Sequence, residues 1–294
     1  MLRNLPRIRG KYVFDYDFKE ATFLRVGGKC DVVFNPMDLA DLVGFLRNRP
    51  SGLGVVVIGN ASNTIVLDGG VRGCVINLSR YMRRIELKSQ YAVVEAGALL
   101  PHFINTSVES SVSSCEKLCG IPGTVGGAIA MNAGIPGFEI SNALASVDLV
   151  DDCGTAASAT VHELDMKYRD GNVPAGSIVT SAVFRTCGSS RADLENTVKE
   201  LTGKRLRSQP LGATCGSAFK NPPNMKAWEL IKESGCDRLS VGSAVVSDKH
   251  CNFLMNAGGA KASDFVKLIE IIKKIVFEKT GILLNEEIKI IGER

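Results

Sequence analysis

The sequence predicts an α+β fold in two parts: a two-lobed domain over 1–207, with lobes of roughly 1–80 and 81–207, and a smaller α+β domain over 208–294. Three observations lead there. Two sets of short β-branched runs, with helical stretches between them, fill the chain to about residue 205. Gln209-Pro210 then stops the last of those helices, which puts a boundary near 208–214. The remainder carries its own strands and a strong amphipathic helix, enough for a second small core.

The elements follow in order. Residues 1–20 read as a polar lead-in, and 22–34 as strand, glycine break, strand. Over 38–47 the spacing of Leu39, Leu42, Val43 and Leu46 predicts a helix with an aspartate in its first turn. The run 54–58 is a buried β-branched strand that breaks into Gly59-Asn60-Ala61-Ser62-Asn63-Thr64. Strand-like stretches continue at 65–67, 75–78, 85–87 and 92–95, and Pro101 opens a helix toward Ser114. Beyond the glycine-rich stretch at 120–134, strands are expected at 145–150, 161–164 and 177–184, with a polar turn at 167–171 between the last two. A helix is expected at 192–207. The second domain holds a helix at 228–234, strands at 240–246 and 251–256, a helix at 263–279 and a closing strand at 282–291.

Composition narrows the function. With 35 basic and 31 acidic residues the net charge is +4, and no basic run with interleaved aromatics appears, so nucleic acid is not an expected partner. No apolar run is long enough to span a bilayer, and the N-terminus lacks the apolar core of a signal peptide. Nine scattered cysteines without a C-x-x-C pair read as reduced thiols in a reducing, cytoplasmic compartment. Only three histidines are present, and no metal site is expected.

Two stretches suit a phosphate-bearing cofactor. In 120–134 the residues between glycines are Ile, Pro, Val, Ala and Met, unlike a mobile polar loop. Thr124 can cap a short helix whose N-terminus would then face a ligand. The turn 59–64, at the end of a buried strand, offers backbone N–H groups and short polar side chains. It is not G-x-G-x-x-G and no helix pattern follows, which excludes a Rossmann reading. No Gly-Lys-Ser or Gly-Lys-Thr occurs, which excludes a Walker loop.

Three further positions carry chemistry. Arg169, in a Tyr-Arg-Asp-Gly turn, could clamp a carboxylate, though a lone loop arginine is more often only solvated. Ser217, in Cys215-Gly216-Ser217-Ala218-Phe219-Lys220-Asn221-Pro222, could give up a proton, or could be part of a plain turn. The pattern is not G-x-S-x-G, so an acyl-transfer nucleophile is not expected. Glu286 and Glu287 fall in the predicted last strand. Alternation places Glu286 with Leu284, Ile288 and Ile290, and Glu287 with Asn285 and Lys289. An acid there could donate a proton or simply face solvent.

Taken together, the stretch 120–134, the turn 59–64, Tyr168-Arg169, Gly216-Ser217 with Phe219-Lys220-Asn221-Pro222, and Leu284-x-x-Glu287 with Ile290-Ile291-Gly292 occur in one family's order. The chain resembles the UDP-N-acetylenolpyruvoylglucosamine reductases, flavoenzymes that make UDP-N-acetylmuramate for peptidoglycan. The likeness runs from about Thr22 to Gly292. It implies a two-lobed FAD-binding domain of the PCMH/VAO type and a substrate-binding domain. It also implies non-covalent FAD, NADPH as hydride donor, a UDP-sugar substrate, and a cytoplasmic monomer.

By this resemblance Gly59, Asn60, Ala61, Ser62, Asn63 and Thr64 would hold the FAD pyrophosphate. Gly97 and Gly120, Ile121, Pro122, Gly123, Thr124, Gly126, Gly127 and Ala128 would flank the flavin. Ser217 would be the proton donor, Arg169 and Glu287 would stabilise the enol form of the substrate carboxylate, and Arg205, Lys220 and Asn221 would contact the UDP-sugar. Arg169, Ser217 and Glu287 would then converge over one face of the flavin. The chain departs from the family at Ala61, where glycine is usual, so the backbone there is expected to avoid a left-handed conformation. Ser208 stands where lysine is common, beside Arg207. Ile135-Pro136-Gly137-Phe138 lacks the usual tyrosine and glycine, and no tyrosine-loop insertion is present, as in the shorter subclass. Two alternatives are another flavin oxidoreductase of the same fold acting on a different sugar or alcohol, and a non-catalytic nucleotide-sugar binding module.

Overall fold

The computed structural model describes residues 4–294. Its chain forms two compact units: Met1–Phe14 with Val32–Asn60 and Gly73–Lys204, and Asp15–Asp31 with Ala61–Arg72 and Arg205–Arg294. The expected cut at 207/208 rests on the helix stop at Gln209-Pro210, whereas these units divide the chain at 204/205 and at four earlier points. The chain leaves the first unit and returns to it before its long continuous run begins.

The first unit is built on a five-stranded antiparallel sheet. Its order is Ala156–Thr160, Leu144–Val150, Ile178–Arg185, Tyr91–Glu95, Ile85–Leu87. Alternate residues of the central strand Ile178–Arg185 point into the core, and Ala182 and Phe184 are fully buried. Phe184 stacks on Phe103 of the helix Leu100–Glu109, with ring centroids 5.0 Å apart. A second aromatic contact, Phe34 with Phe45 at 4.5 Å, seats the helix Leu39–Asn48. Asp38, expected inside the helix, is its N-cap, accepting from Asp41 N at 3.0 Å. The strand Val55–Val57 runs parallel to residues 74–76 and delivers the chain to the 59–64 turn.

The second unit carries a four-stranded antiparallel sheet, ordered Thr214–Ser217, Phe253–Asn256, Ala244–Val246, Ser240–Val241. Its long helix, Ala262–Thr280, buries Phe265, Leu268, Ile269, Ile272 and Val276, the three-and-four spacing read in the sequence. Asp68 ties down the start of this helix by accepting from Ala262 N and Ser263 N, both at 2.9 Å. Gly281 ends it in a left-handed conformation at φ 72°. A short parallel pair, Thr64–Val66 with Lys289–Ile291, joins the exit of the 59–64 turn to the C-terminal segment.

Several expectations are corrected. The polar lead-in contains a strand, Lys11–Asp17, and residues 22–26 are turn rather than strand. Residues 161–164 form one helical turn, Val161–Leu164, because Thr160 and Glu163 make a reciprocal capping box. The predicted strand at 240–246 is two strands, Ser240–Val241 and Ala244–Val246, divided at Gly242. The closing strand is short, Lys289–Ile291, with an isolated bridge at Glu286 before it. The alternation read there does not hold, since Ile290 is 38% exposed.

Candidate active site

In the first unit the glycine-rich stretch begins after a one-turn 3-10 helix, Glu116–Leu118, and Thr124 opens the helix Val125–Ala130 as expected. The Thr124 hydroxyl accepts from Gly127 N at 3.2 Å. The N–H groups at this helix start are not available to a ligand, however. Val125 N donates to Ala98 O and Gly126 N to Ala96 O, both at 2.8 Å, and Ala128 N donates to Thr124 O at 2.9 Å. The expected phosphate-facing helix end is therefore a chain-to-chain seam. Gly97 sits on the same seam, its N–H donating to Met82 O, and Leu100 N donates to Gly123 O. Residues 120–128 thus offer a rigid apolar wall. Val125 and Ile129 are buried behind it.

The 59–64 turn behaves differently. Among the described residues, the N–H groups of Gly59, Asn60, Ala61 and Asn63 make no hydrogen bond within the chain. Gly59 lies so close to Thr124 that a Cβ there would meet Oγ1 at 2.5 Å. Ala61 overturns its expectation: it is left-handed at φ 48° and buried, a strained state for a residue with a Cβ. A left-handed residue in a tight turn swings successive N–H groups to one side, which is how backbone forms an anion-binding concavity. Donors without partners, together with a seam too close for a side chain, fit a pyrophosphate-bearing cofactor.

Arg169 is stitched to the glycine-rich stretch of its own unit. It occupies a two-residue turn closed by Lys167 N donating to Asp170 O and Asp170 N donating to Lys167 O. Its guanidinium donates to Gly134 O at 3.0 Å and lies 5.0 Å from the Tyr168 ring. Gly171 N donates to Ala130 O, anchoring the end of the turn. The backbone of Arg169 is also left-handed, φ 56°, a costly place for an arginine. Asn132, fully buried and left-handed at φ 41°, holds the same corner by donating to Glu139 Oε2 and Lys167 O.

The second unit joins Ser217 to Glu287. Ser217 ends its strand opposite Phe253, after a register shift between Thr214 and Ser217. Gly216 makes that bulge possible: its φ is +81°, and open space surrounds it, so the need is conformational. The next residue, Ala218, accepts from Glu287 N at 2.9 Å, and Lys220 N donates to Asn285 O at 2.8 Å. Asn63 donates its side-chain amide to Glu287 O at 3.0 Å. Hydrogen bonds thus run from Asn63 to Glu287 and from Glu287 to Ala218, the residue after Ser217, and the Lys220 peptide is held on Asn285. Glu286 has a separate role, pairing with Lys273 at 2.6 Å. Asn221 accepts from Ala227 N at 3.0 Å and so positions the helix Ala227–Glu233. Arg205 begins the second unit near the end of the helix Arg191–Ser208, where its carbonyl accepts from Gln209 N. Cys215, fully buried beside the bulge, has its thiol pushed up to about 12 by burial and is no nucleophile.

Sequence reasoning missed Asn132 and Asn252. Both are asparagines whose side chains bind backbone, a role that no spacing in the sequence signals.

The family profile described as the C-terminal domain of UDP-N-acetylenolpyruvoylglucosamine reductase matches residues 208–291, and one described as an FAD binding domain matches residues 30–160. A UDP-N-acetylenolpyruvoylglucosamine reductase of Wolbachia pipientis is 39% identical over 99% of both chains. The chain belongs to the UDP-N-acetylenolpyruvoylglucosamine reductase family. Another such reductase, from Paramagnetospirillum magneticum, is 40% identical over 99% of this chain and 95% of its own. The crystal structure of the reductase from Thermus caldophilus superimposes with a TM-score of 0.84 at 33% identity, covering 97% of this chain and all of that one. Berberine bridge enzyme from Eschscholzia californica shares the fold over 63% of this chain and 42% of its own, with a TM-score of 0.51 at 15% identity. This reductase family therefore carries a PCMH/VAO-type FAD-binding fold here, as the motifs implied.

Proposed function

We propose that the protein reduces UDP-N-acetylenolpyruvoylglucosamine to UDP-N-acetylmuramate, using NADPH and non-covalent FAD, with Arg169, Ser217 and Glu287 as its catalytic residues. The observation that carries the residue assignment is the bond from Glu287 N to Ala218 O, which ties the expected acid to the residue after the expected proton donor. Bound FAD would supply the two-electron carriage from the nicotinamide to the enolpyruvyl double bond.

The chain supplies everything else. The N–H groups of Gly59, Asn60, Ala61 and Asn63, with the side chain of Ser62, would hold the pyrophosphate, and Thr64 follows at the turn's exit. Gly97 and residues 120–128 would flank the flavin. Arg205, Lys220 and Asn221 would bind the UDP-sugar. As hydride reaches the methylene carbon, charge develops on the carboxylate. Arg169 and a protonated Glu287 would meet that charge as hydrogen-bond donors. Ser217 Oγ gives its proton to the carbon beside the carboxylate, which completes a net addition of hydride and proton across the double bond. The strain at Arg169 supports this reading, because left-handed non-glycine residues cluster where function fixes them.

A cytoplasmic location is part of the proposal. It is supported by nine free thiols, and among the described residues no helix is long and apolar enough to cross a membrane. So is a monomer, which sedimentation equilibrium of the FAD-loaded protein tests. The function itself is tested by anaerobic titration. NADPH should bleach the flavin, and the enolpyruvyl substrate should restore its colour. Ser217→Ala should leave the first step intact and slow the second by about 10²-fold or more. A protein that takes up no FAD, or a Ser217→Ala variant with full turnover, overturns the proposal.

A further inference from the structure

Residues 218–220, which follow Ser217, are hydrogen-bonded to the segment 285–287, which ends at Glu287. Phe219 is the pivot of that segment. It bridges to Glu286 in antiparallel fashion, through Lys220 N to Asn285 O and Glu287 N to Ala218 O. In such a pair the bonds are made by the flanking residues, so the N–H and C=O of Phe219 itself point to the opposite side. Phe219 is 1% exposed, so water cannot satisfy them there. The regular strand Phe253–Asn256 has already ended at that level. One side chain fills the gap. Asn252 accepts from Phe219 N with Oδ1 at 3.0 Å and donates from Nδ2 to Phe219 O at 2.9 Å. Its own carbonyl accepts from Ala218 N at 2.7 Å. Asn252 is 4% exposed, and its side-chain amide acts as one more residue of the ladder, with one donor and one acceptor on the same side.

We propose that Asn252 is a positioning residue for the reduction step: it clamps the Phe219 peptide and thereby fixes the separation of the Ser217 hydroxyl from the Glu287 carboxyl. The requirement on residue type is strict. Aspartate keeps the acceptor and loses the donor, leucine offers neither, and glutamine carries an extra methylene that moves the amide away from the peptide. The inference rests on the assignment of Ser217 and Glu287 made above.

The test uses the FAD-loaded protein with three variants: Asn252→Ala, Asn252→Asp and Ser217→Ala. With Asn252→Ala, reduction of the flavin by NADPH should stay within about twofold of wild type. Re-oxidation by the enolpyruvyl substrate should slow by about 10²-fold, the effect of displacing a reacting group by about an ångström. Amide hydrogen exchange should quicken in peptides covering 218–220 and 285–287, but not in the helix Ala262–Thr280. With Asn252→Asp the re-oxidation rate should recover as pH falls, because a protonated carboxyl again offers one donor and one acceptor. The titratable neighbour is His250, whose Nδ1 accepts from Asn252 N at 3.3 Å, so this profile is read as a ratio to wild type. If both half-reactions fall together with loss of FAD, Asn252 merely supports the fold, and the inference fails. It fails equally if the Asn252→Asp ratio is flat with pH, or if Asn252→Ala re-oxidises normally while Ser217→Ala does not. A Ser217→Ala protein with normal re-oxidation instead removes the catalytic assignment itself.

Discussion

The contact between Gly59 and Thr124 permits a sharp test of why the glycine is there. A Cβ on residue 59 would sit 2.5 Å from Thr124 Oγ1, 3.5 Å from Cγ2 and 3.6 Å from Cβ. Thr124 is 3% exposed and β-branched, so its hydroxyl cannot swing away without leaving the cap on Gly127 N. Gly59→Ala therefore adds an overpacking cost of about 1–3 kcal/mol and puts the cap, worth about 1 kcal/mol, at risk. The backbone at 59 is not left-handed, so alanine also returns about 0.4–1 kcal/mol through the unfolded chain. The net loss is about 1–3 kcal/mol, or a melting point lower by about 2–12 °C at about 2–4 °C per kcal/mol. Thr124→Ala alone costs the cap, about 1 kcal/mol, but it also removes the atom the new methyl strikes. The double variant should then be no worse than Thr124→Ala, giving a coupling of about 1–3 kcal/mol in a thermal-unfolding cycle on the FAD-free protein. Additive losses in the double variant would refute the steric account and leave the glycine explained by ligand contact alone.

Arg169→Gly should leave the melting point within about 3 °C of wild type while abolishing re-oxidation by substrate. Relief of the left-handed strain, about 1–2 kcal/mol, roughly offsets the lost bond to Gly134 O and the added chain entropy. A large destabilisation would contradict this. Although burial works the other way, hydrogen bonds from Ser263 and Ala262 hold the Asp68 carboxyl below the ordinary 3.8. A depressed folded value means stability that is full above the unfolded value and lost as pH falls through the folded one. Asp68→Asn should be less stable than wild type at pH 7, and the gap should narrow in melts taken toward pH 3. Of the nine thiols, Cys153 and Cys187 are exposed, and native protein should label at these two first. Cys153 should lag behind Cys187, since the Asp152 carboxylate holds its thiol above the usual value. Mass spectrometry of alkylated peptides reads the order.

What the sequence made legible was periodicity and punctuation. The buried face of Ala262–Thr280, the cap at Thr124 and the stop at Pro210 are all local, and each appears where expected. The capping box at Thr160 and Glu163 is equally local, yet the sequence reading makes 161–164 a strand, although Val161 and Leu164 stand three apart, at helical spacing. The two left-handed residues of the candidate site were not legible at all. Composition argues against φ 48° at Ala61 and φ 56° at Arg169, and only tertiary contacts can impose them.

The same holds for the closing segment. Alternation set Glu286 and Glu287 on opposite faces of a strand, yet a regular strand begins only at Lys289. What separates the two glutamates is a single antiparallel bridge at 286, which pairs one with Lys273 and sends the peptide N–H of the other to Ala218 O. That bridge is backed by Asn252, 33 positions after Phe219 in the chain, a side chain behaving as backbone. Side-chain amides that replace a ladder rung leave no periodic trace. Such a role shows only in the fold, where among the described residues no backbone pairs with the buried Phe219 peptide and the Asn252 amide takes both its N–H and its C=O.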